Sequence, residues 1–221
     1  MSKILTSGCG ITFPGEKPTW VSVLKLCGLN ITDLSGPAIS NTLILNQLIT
    51  ELHNQRYDYV ICQLTDKKKL DIEINNENKK YMTNDPIRNF SYKGFWPSSL
   101  SEDSDIKKMY YQYLYSPKLD EDDTIIKLLL LQNICRSNRT ELLIMQGYKM
   151  NWQNDLVKNI TMDFDFVIED DYKNSKWYEQ HDFNNHNTVP NKFYQIDLAR
   201  YINKNFLQLY GLGEKIDKFN V

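Results

Sequence analysis

The chain alternates short apolar runs with stretches in which apolar residues recur every three or four positions. The apolar runs predict buried strands at residues 3–7, 29–34 and 57–64. The periodic stretches between them predict helices at residues 18–26 and 40–53. Strands that alternate with helices in this way form a parallel sheet with right-handed crossovers.

The same pattern returns in the second half of the chain. It predicts two more strands, at residues 140–147 and 164–168. It also predicts three more helices, at residues 121–138, 152–159 and 191–209. We therefore predict an α/β protein with a single domain, residues 1–221. Its architecture is a three-layer α/β/α sandwich around a five-stranded parallel sheet in the order 2-1-3-4-5, which is a flavodoxin-like topology.

Residues 67–118 interrupt this rhythm. They are polar, contain three prolines, and predict only one helix, at residues 104–114. They also contain Phe95-Trp96 and several tyrosines, and exposed aromatic side chains are unfavourable unless they pack on the core or a partner. We expect this excursion to form a partial lid over the strand ends and to present aromatic residues to a partner protein or a second copy. The alternative is that it packs entirely on its own domain.

Composition narrows the class of protein. The chain has 221 residues, 41% hydrophobic, so it can bury a sizeable core. Its formal net charge of -2 argues against a strongly basic nucleic-acid binder or a polybasic membrane-surface protein, so we expect neither partner. No signal peptide is evident, and the four cysteines form no CxxC pair, which favours a reducing compartment. The excess of Lys, Asn, Ile and Tyr is typical of AT-rich viral genomes, so we expect a location in the cytoplasm of a host cell or in a virion.

Ligands of open parallel sheets bind where the strands end. Four blocks lie at predicted strand ends or in the loop before the last helix: Gly8-Cys9-Gly10-Ile11-Thr12, Asp33-Leu34-Ser35-Gly36-Pro37-Ala38, Gln63-Leu64-Thr65-Asp66 and Asp182-Phe183-Asn184-Asn185-His186. In order and placement they resemble the SGNH/GDSL hydrolases, and more narrowly a phage and viral group whose first block reads Gly-Cys-Ser-Phe-Thr. The resemblance implies an ancestral hydrolase of O-acyl esters, for example acetyl groups on carbohydrate.

The resemblance also implies a role for each matching position. The nucleophilic serine of the family falls on Gly10, which has no side chain to attack an acyl carbon. The oxyanion hole falls on Gly10, Ser35 and Thr65, where the Thr65 hydroxyl stands for the family's asparagine amide. Asp182 and His186 keep the acid–base pair, with one more residue between them than the family has.

Two side chains near Gly10 could replace the missing nucleophile. Ser7 lies in or at the end of the first predicted strand and would need a register shift to reach the site. Cys9 should point away from the pocket. Because a catalytic triad requires hydrogen-bond geometry, we expect the chemistry to be lost.

Other candidate features concern ligand binding. Trp177 and Tyr178 could stack on a sugar ring at the rim of a cleft. His181, Asp182 and His186 match no standard metal spacing, so we predict no metal and no cofactor. A flavodoxin-like nucleotide binder is disfavoured, since the first loop lacks a phosphate-cradling run of glycines or hydroxyls.

These observations favour a catalytically degenerate SGNH-like protein that binds a carbohydrate, an acylated glycan or another protein. Two alternatives remain open. One is an active carbohydrate esterase with an unusual nucleophile. The other is a viral structural or assembly protein that uses the fold as a scaffold and residues 67–118 as its interaction surface.

Overall fold

The computed structural model describes residues 2–8, 19–36, 39–65, 70–73, 92–95, 110–146, 167–168 and 192–220. The helices and strands are, in chain order, β1 (Lys3–Ser7), α1 (Trp20–Leu26), β2 (Asn30–Asp33), α2 (Asn41–Asn54), β3 (Tyr59–Leu64), β4 (Leu70–Glu73), β5 (Tyr92–Phe95), α3 (Pro117–Asn138), β6 (Glu141–Gln146), β7 (Val167–Ile168), α4 (Lys192–Ile202) and α5 (Leu212–Asp217). Three short helical turns accompany them, at Tyr110–Leu114, Asn203–Leu207 and Lys218–Asn220.

The main sheet is parallel and runs in the order β2-β1-β3-β6-β7. The α/β class with a parallel sheet is therefore confirmed, as is the order 2-1-3-4 of the four longer strands. Of the fifth predicted strand, residues 164–168, the described portion is β7, two residues long. β4 and β5 pair antiparallel as a separate two-stranded sheet within the excursion, and the sequence pattern did not predict them.

Helices cover both faces of the main sheet. Successive residues of a strand face opposite layers, so each strand contributes to two separate cores. Leu5 and Val60 pack with α2 and α3 on one side. Ile4 and Ile61 pack with α1, α4 and α5 on the other side. The sheet thus positions its strand ends between two independently packed helical layers.

Side-chain caps explain where the helices begin. Ser40 accepts a hydrogen bond from the backbone N–H of Leu43, so α2 starts where the sequence predicts. Ser116 caps α3 and Pro117 occupies its first turn. The predicted start of that helix at residue 121 is therefore wrong, because a serine followed by proline is itself a helix start.

The last predicted helix, residues 191–209, is divided in the structure. α4 ends at Ile202, a turn of π-helix follows, and Gln208 adopts a left-handed conformation that ends the helical path. Of the helix predicted at residues 104–114, the described portion is a π-helical turn, Tyr110–Leu114. The helix predicted at residues 152–159 lies outside the described residues.

Candidate functional site

The segments that follow β1, β2 and β3 meet at one edge of the main sheet, which we call the carboxyl edge (residues 7–8, 33–36 and 64–65). The backbone N–H of Leu34 donates to the carbonyl of Thr6 at 2.8 Å, and that of Gly36 donates to the carbonyl of Gly8 at 3.1 Å. The first and second sequence blocks are thereby joined beyond the ends of their strands. The third block begins with the last two residues of β3, the other neighbour of β1.

Asp33 organises the turn after β2. Its Oδ1 atom accepts hydrogen bonds from Thr6 Oγ1 at 3.1 Å, from the backbone N–H of Ser35 at 3.0 Å and from Ser35 Oγ at 2.5 Å. Its Oδ2 atom lies 3.8 Å from Lys25 Nζ, and the carboxylate is almost fully buried. Three donors thus hold this carboxylate in place, and an aspartate that accepts from the residue two positions later forms a standard turn.

The geometry of Asp33 bears on the role predicted for Ser35. The Ser35 backbone N–H, which the resemblance assigns to an oxyanion hole, is directed at Asp33 Oδ1 in this conformation. A donor already engaged by a carboxylate contributes to an oxyanion hole only if that hydrogen bond is broken. The role of Ser35 as an oxyanion donor stays a prediction.

Asn41, the first residue of α2, fixes the end of β3. Its side-chain Nδ2 donates to the carbonyl of Thr65 at 3.1 Å, and its Oδ1 accepts from the backbone N–H of Thr65 at 2.7 Å. Both residues are buried. A side-chain amide that pairs with both backbone groups of one residue replaces the strand partner that this residue lacks.

The hydroxyl of Thr65 is the exceptional group at the carboxyl edge. Thr65 is fully buried, and its Oγ1 atom has no hydrogen-bond partner among the residues that the structure describes. Buried hydroxyls are nearly always paired, so an unpaired one requires an explanation. The third sequence block therefore places an unused donor and acceptor at the strand-end edge where ligands of such sheets bind.

Ser7 does not have the surroundings of a nucleophile. It is fully buried at the end of β1, and its Oγ donates to Gln47 Oε1 at 3.3 Å. An amide oxygen can accept that hydrogen bond but is too weak a base to take the proton. The other substitute, Cys9, lies outside the described residues.

A second buried network supports the edge from the opposite helical layer. Trp20 Nε1 donates to Gln63 Oε1 at 3.4 Å, and the Trp20 backbone N–H donates to Gln195 Oε1 at 2.8 Å. These contacts join α1 and α4 to β3 two residues before Thr65. The sequence did offer a signal for one of them, because Gln63 is a polar residue inside the otherwise apolar and buried run of β3.

The described cysteine thiols are poor nucleophiles. Cys27, Cys62 and Cys135 are free and buried. Burial raises the pKa of the Cys62 thiol, and the neighbouring Cys135 adds to the shift. A neutral, inaccessible thiol is a poor nucleophile, so Cys62 is not a candidate for the nucleophile.

Several predicted site residues, Gly10, Trp177, Tyr178, Asp182 and His186, lie outside the described residues. The roles predicted for them stay predictions. Within the described ranges, no group of three or more His, Cys, Asp or Glu side chains could hold a metal ion. None of the helices described there is long and apolar enough to cross a membrane.

The predicted interaction surface of the excursion is described only in part. Tyr113 and Leu114 are largely exposed at the turn that precedes α3. Tyr115 is half-buried, and the side chains of Tyr110 and Tyr111 lie outside what the structure describes. The excursion therefore leaves at least one tyrosine and one leucine uncovered, and its partner stays a prediction.

Comparisons with known proteins add a distant likeness. No family model and no curated protein matches the chain. Among solved structures, the chain is similar to the crystal structure of the psychrotrophic esterase EstA from Pseudoalteromonas sp., inhibited by monoethylphosphonate. The identity is 13% over 94% of this chain and 97% of that chain, with a TM-score of 0.49. At that identity and TM-score, the likeness indicates neither a reaction nor a ligand for this chain.

Proposed function

We propose that this chain is an SGNH-like α/β protein that binds an acylated carbohydrate at the carboxyl edge without hydrolysing it. The observation that carries the proposal is the unpaired Thr65 hydroxyl, buried beside the end of β3. An unsatisfied buried hydroxyl costs about 1–3 kcal/mol. Because Thr65 is fully buried, a ligand oxygen or N–H removes that penalty once binding uncovers this side chain. An ester or sugar oxygen is suited to this position.

The chemistry of the carboxyl edge favours binding over turnover. Gly10 offers no nucleophile, Ser7 donates to an amide, and the Ser35 N–H donates to Asp33. An acyl-transfer site requires a nucleophile next to a base and free donors for the oxyanion. The described residues of this edge supply prearranged polar groups, but they include no nucleophile next to a base.

Calorimetric titration with an O-acetylated oligosaccharide and with its deacetylated form tests the proposal. We expect the acetylated form to bind more tightly and Thr65→Val to weaken its binding by about tenfold, a typical loss when one polar contact in a buried site is removed. Thr140→Val is the matched control, because Thr140 Oγ1 already donates to the carbonyl of Tyr57 at the opposite edge of the sheet.

Three outcomes would contradict the proposal. The first is the absence of binding, and the second is an equal loss of binding in the two threonine variants. The third is release of acetate above the blank that His186→Ala abolishes, which would establish an active esterase with an unusual nucleophile.

A further inference from the structure

Asp33 and Lys25 form a charged pair whose two ends are not joined by a hydrogen bond. Asp33 Oδ2 and Lys25 Nζ lie 3.8 Å apart, whereas a charge-assisted N–H···O bond is about 2.7–2.9 Å long. The Asp33 side chain is 6% exposed and that of Lys25 is 41% exposed. A nearly buried carboxylate oxygen therefore faces an ammonium group that is itself in contact with solvent.

The two oxygens of the Asp33 carboxylate differ in their hydrogen bonding. Oδ1 accepts three hydrogen bonds, one from Thr6 and two from Ser35. Among the residues that the structure describes, no group donates a hydrogen bond to Oδ2, and its one neighbouring charge is the Lys25 ammonium. Because the donors of Thr6 and Ser35 fix the carboxylate through Oδ1, the lone pairs of Oδ2 can accept from a further group.

The chemistry of the charged pair selects the kind of group that can bridge it. Such a group must donate to Asp33 Oδ2 and accept from Lys25 Nζ. A hydroxyl does both, and its oxygen can lie about 2.8 Å from each of the two atoms at once. A carboxylate ion has no proton to donate and is repelled by Asp33. The pair is therefore suited to a neutral ligand that carries hydroxyl groups.

The charged pair lies on the same side of the main sheet as the Thr65 hydroxyl. Trp20 of α1 donates its indole N–H to Gln63, so Gln63 faces the α1 layer. Thr65 comes two residues after Gln63 and continues that side of the chain, since alternate residues of an extended segment share a side. Lys25 also belongs to α1, so one ligand lying along this layer can contact both groups.

The strand register gives the distance between the two groups. Asp33 and Ile61 are both paired with Thr6, so they are level in the sheet. Thr65 lies four residues beyond Ile61, and β1 separates β2 from β3. At about 3.3 Å per residue and about 4.8 Å between strands, Asp33 and Thr65 are roughly 16 Å apart. A single sugar ring is much shorter than this distance, so a ligand that reaches both groups is an oligosaccharide.

We propose that Lys25 and Asp33 form a second subsite, which binds a hydroxyl of the sugar chain whose acyl group lies at Thr65. This inference rests on the proposed function and adds the class of ligand to it, a neutral oligosaccharide long enough to reach from Thr65 to Lys25. Lys25 Nζ donates to the sugar oxygen, and the sugar hydroxyl donates to Asp33 Oδ2. Lys25 is the residue to test, because Asp33 also holds the turn after β2.

Calorimetric titration of Lys25→Met with a neutral O-acetylated tetrasaccharide and with the O-acetylated monosaccharide tests the subsite. We expect the wild type to bind the tetrasaccharide more tightly than the monosaccharide. Lys25→Met should weaken tetrasaccharide binding by about tenfold, a typical loss for one hydrogen bond to a charged group. Binding of the monosaccharide, which reaches Thr65 alone, should not change.

Two further lysine variants are the controls. Lys25→Arg keeps the charge and the N–H donors, so it should retain most of the affinity for the tetrasaccharide. Lys215→Met should change binding of neither sugar, because Lys215 Nζ donates to the carbonyl of Cys27, beyond the end of α1. A loss in Lys25→Arg as large as that in Lys25→Met, or an equal loss in Lys215→Met, would overturn the subsite.

The deacetylated tetrasaccharide separates the subsite from the acyl site. It should bind weakly, with a loss in Lys25→Met and none in Thr65→Val. If Lys25→Met bound both tetrasaccharides as the wild type does, the subsite would be overturned, even where Thr65→Val confirmed the acyl site. If the acetylated and deacetylated forms bound equally and Lys25→Met weakened both, the subsite would stand and the acyl site would be wrong. Binding of neither tetrasaccharide would overturn both proposals.

Discussion

The buried polar groups at the two edges of the main sheet differ in their hydrogen bonding. At the amino edge, where the strands begin, the buried Thr140 donates through its Oγ1 to the carbonyl of Tyr57 at 2.7 Å. At the carboxyl edge, the buried hydroxyl of Thr65 has no hydrogen-bond partner among the described residues. A threonine at one edge thus completes the fold, whereas the hydroxyl at the other edge adds no hydrogen bond to it.

The two edges also differ in what holds the backbone. Ladder-like backbone bonds continue into the amino edge, for example from the Asp58 N–H to the Lys3 carbonyl at 2.9 Å. At the carboxyl edge, backbone bonds also join the segments after β1 and β2, but the side chains of Asp33 and Asn41 additionally hold the turns. Geometry set by side chains can be altered by single substitutions without removing a strand, which is the usual arrangement of loops that carry function.

Asn41→Ala should cause the largest change. It removes both hydrogen bonds to the Thr65 backbone and leaves a buried N–H and a buried carbonyl unsatisfied, so we expect a loss of about 2–4 kcal/mol in the free energy of unfolding. Urea denaturation followed by circular dichroism measures it.

Asn46→Ala is the control for that substitution, because Asn46 is exposed on the same helix and should change stability by less than about 0.5 kcal/mol. If Asn41→Ala were no more destabilising than this control, the amide of Asn41 would not hold the carboxyl edge.

The paired threonine variants should separate the two edges directly. Thr140→Val removes a satisfied hydroxyl and leaves the Tyr57 carbonyl without this donor, so it should cost about 1–2 kcal/mol of stability. Thr65→Val removes an unsatisfied hydroxyl and should cost nothing or stabilise by up to about 1 kcal/mol. Thermal and urea unfolding of the two proteins give the comparison, and equal losses would mean that Thr65 has a partner in solution.

Periodicity explains why most of the fold could be predicted. Strands that are buried on both faces read as apolar runs, and β1, β3 and β6 are of this kind. The pairing of β4 with β5 was not predicted, because both four-residue strands lie in a polar segment. Residues 70–74 do alternate apolar and polar side chains, which is a signal for β4, whereas β5 contains a glycine and gives no such pattern.

The site was predictable only as far as the strand-end rule reaches. That rule places Ser35 and Thr65 at the same edge, and the structure does so. It cannot show that Asn41 would bind the Thr65 backbone, since the two are 24 residues apart in the chain. Nor can it show that Asp33 engages the Ser35 N–H, because an aspartate two residues before a serine can accept from it or point elsewhere.

The decline of the free energy of unfolding at alkaline pH tests whether water reaches the core next to the carboxyl edge. Because burial raises the pKa of Cys62 above its ordinary value of 9.0, the folded protein keeps the thiol proton where the unfolded chain releases it. Its contribution is complete below pH 9 and declines as the pH rises further, by up to about 1.4 kcal/mol per pH unit. Urea unfolding at several pH values between 8 and about 10.5 measures this slope.

The Cys62→Ala variant isolates that thiol. It should lower stability at every pH but show a shallower decline above pH 9, with the remaining slope owed partly to Cys27, whose pKa burial also raises. Identical slopes in the two proteins would show that water reaches Cys62 and that the carboxyl edge is open more deeply than its burial indicates.

The smallest effect is expected at Lys25, which lies 3.8 Å from Asp33 and has a side chain 41% exposed. Exposed ion pairs contribute about 0–1 kcal/mol, and Asp33 Oδ1 already accepts three hydrogen bonds. Lys25→Gln should therefore lower stability by less than about 0.5 kcal/mol at low salt, with part of that loss owed to its place in the last turn of α1. The loss should vanish near 0.5 M salt, where charges on the surface are largely screened. Urea denaturation at both salt concentrations measures it.

A salt-independent loss above about 1 kcal/mol would mean that Lys25 neutralises a desolvated Asp33. A buried charge pair, and not hydrogen bonds alone, would then distinguish the carboxyl edge from the amino edge.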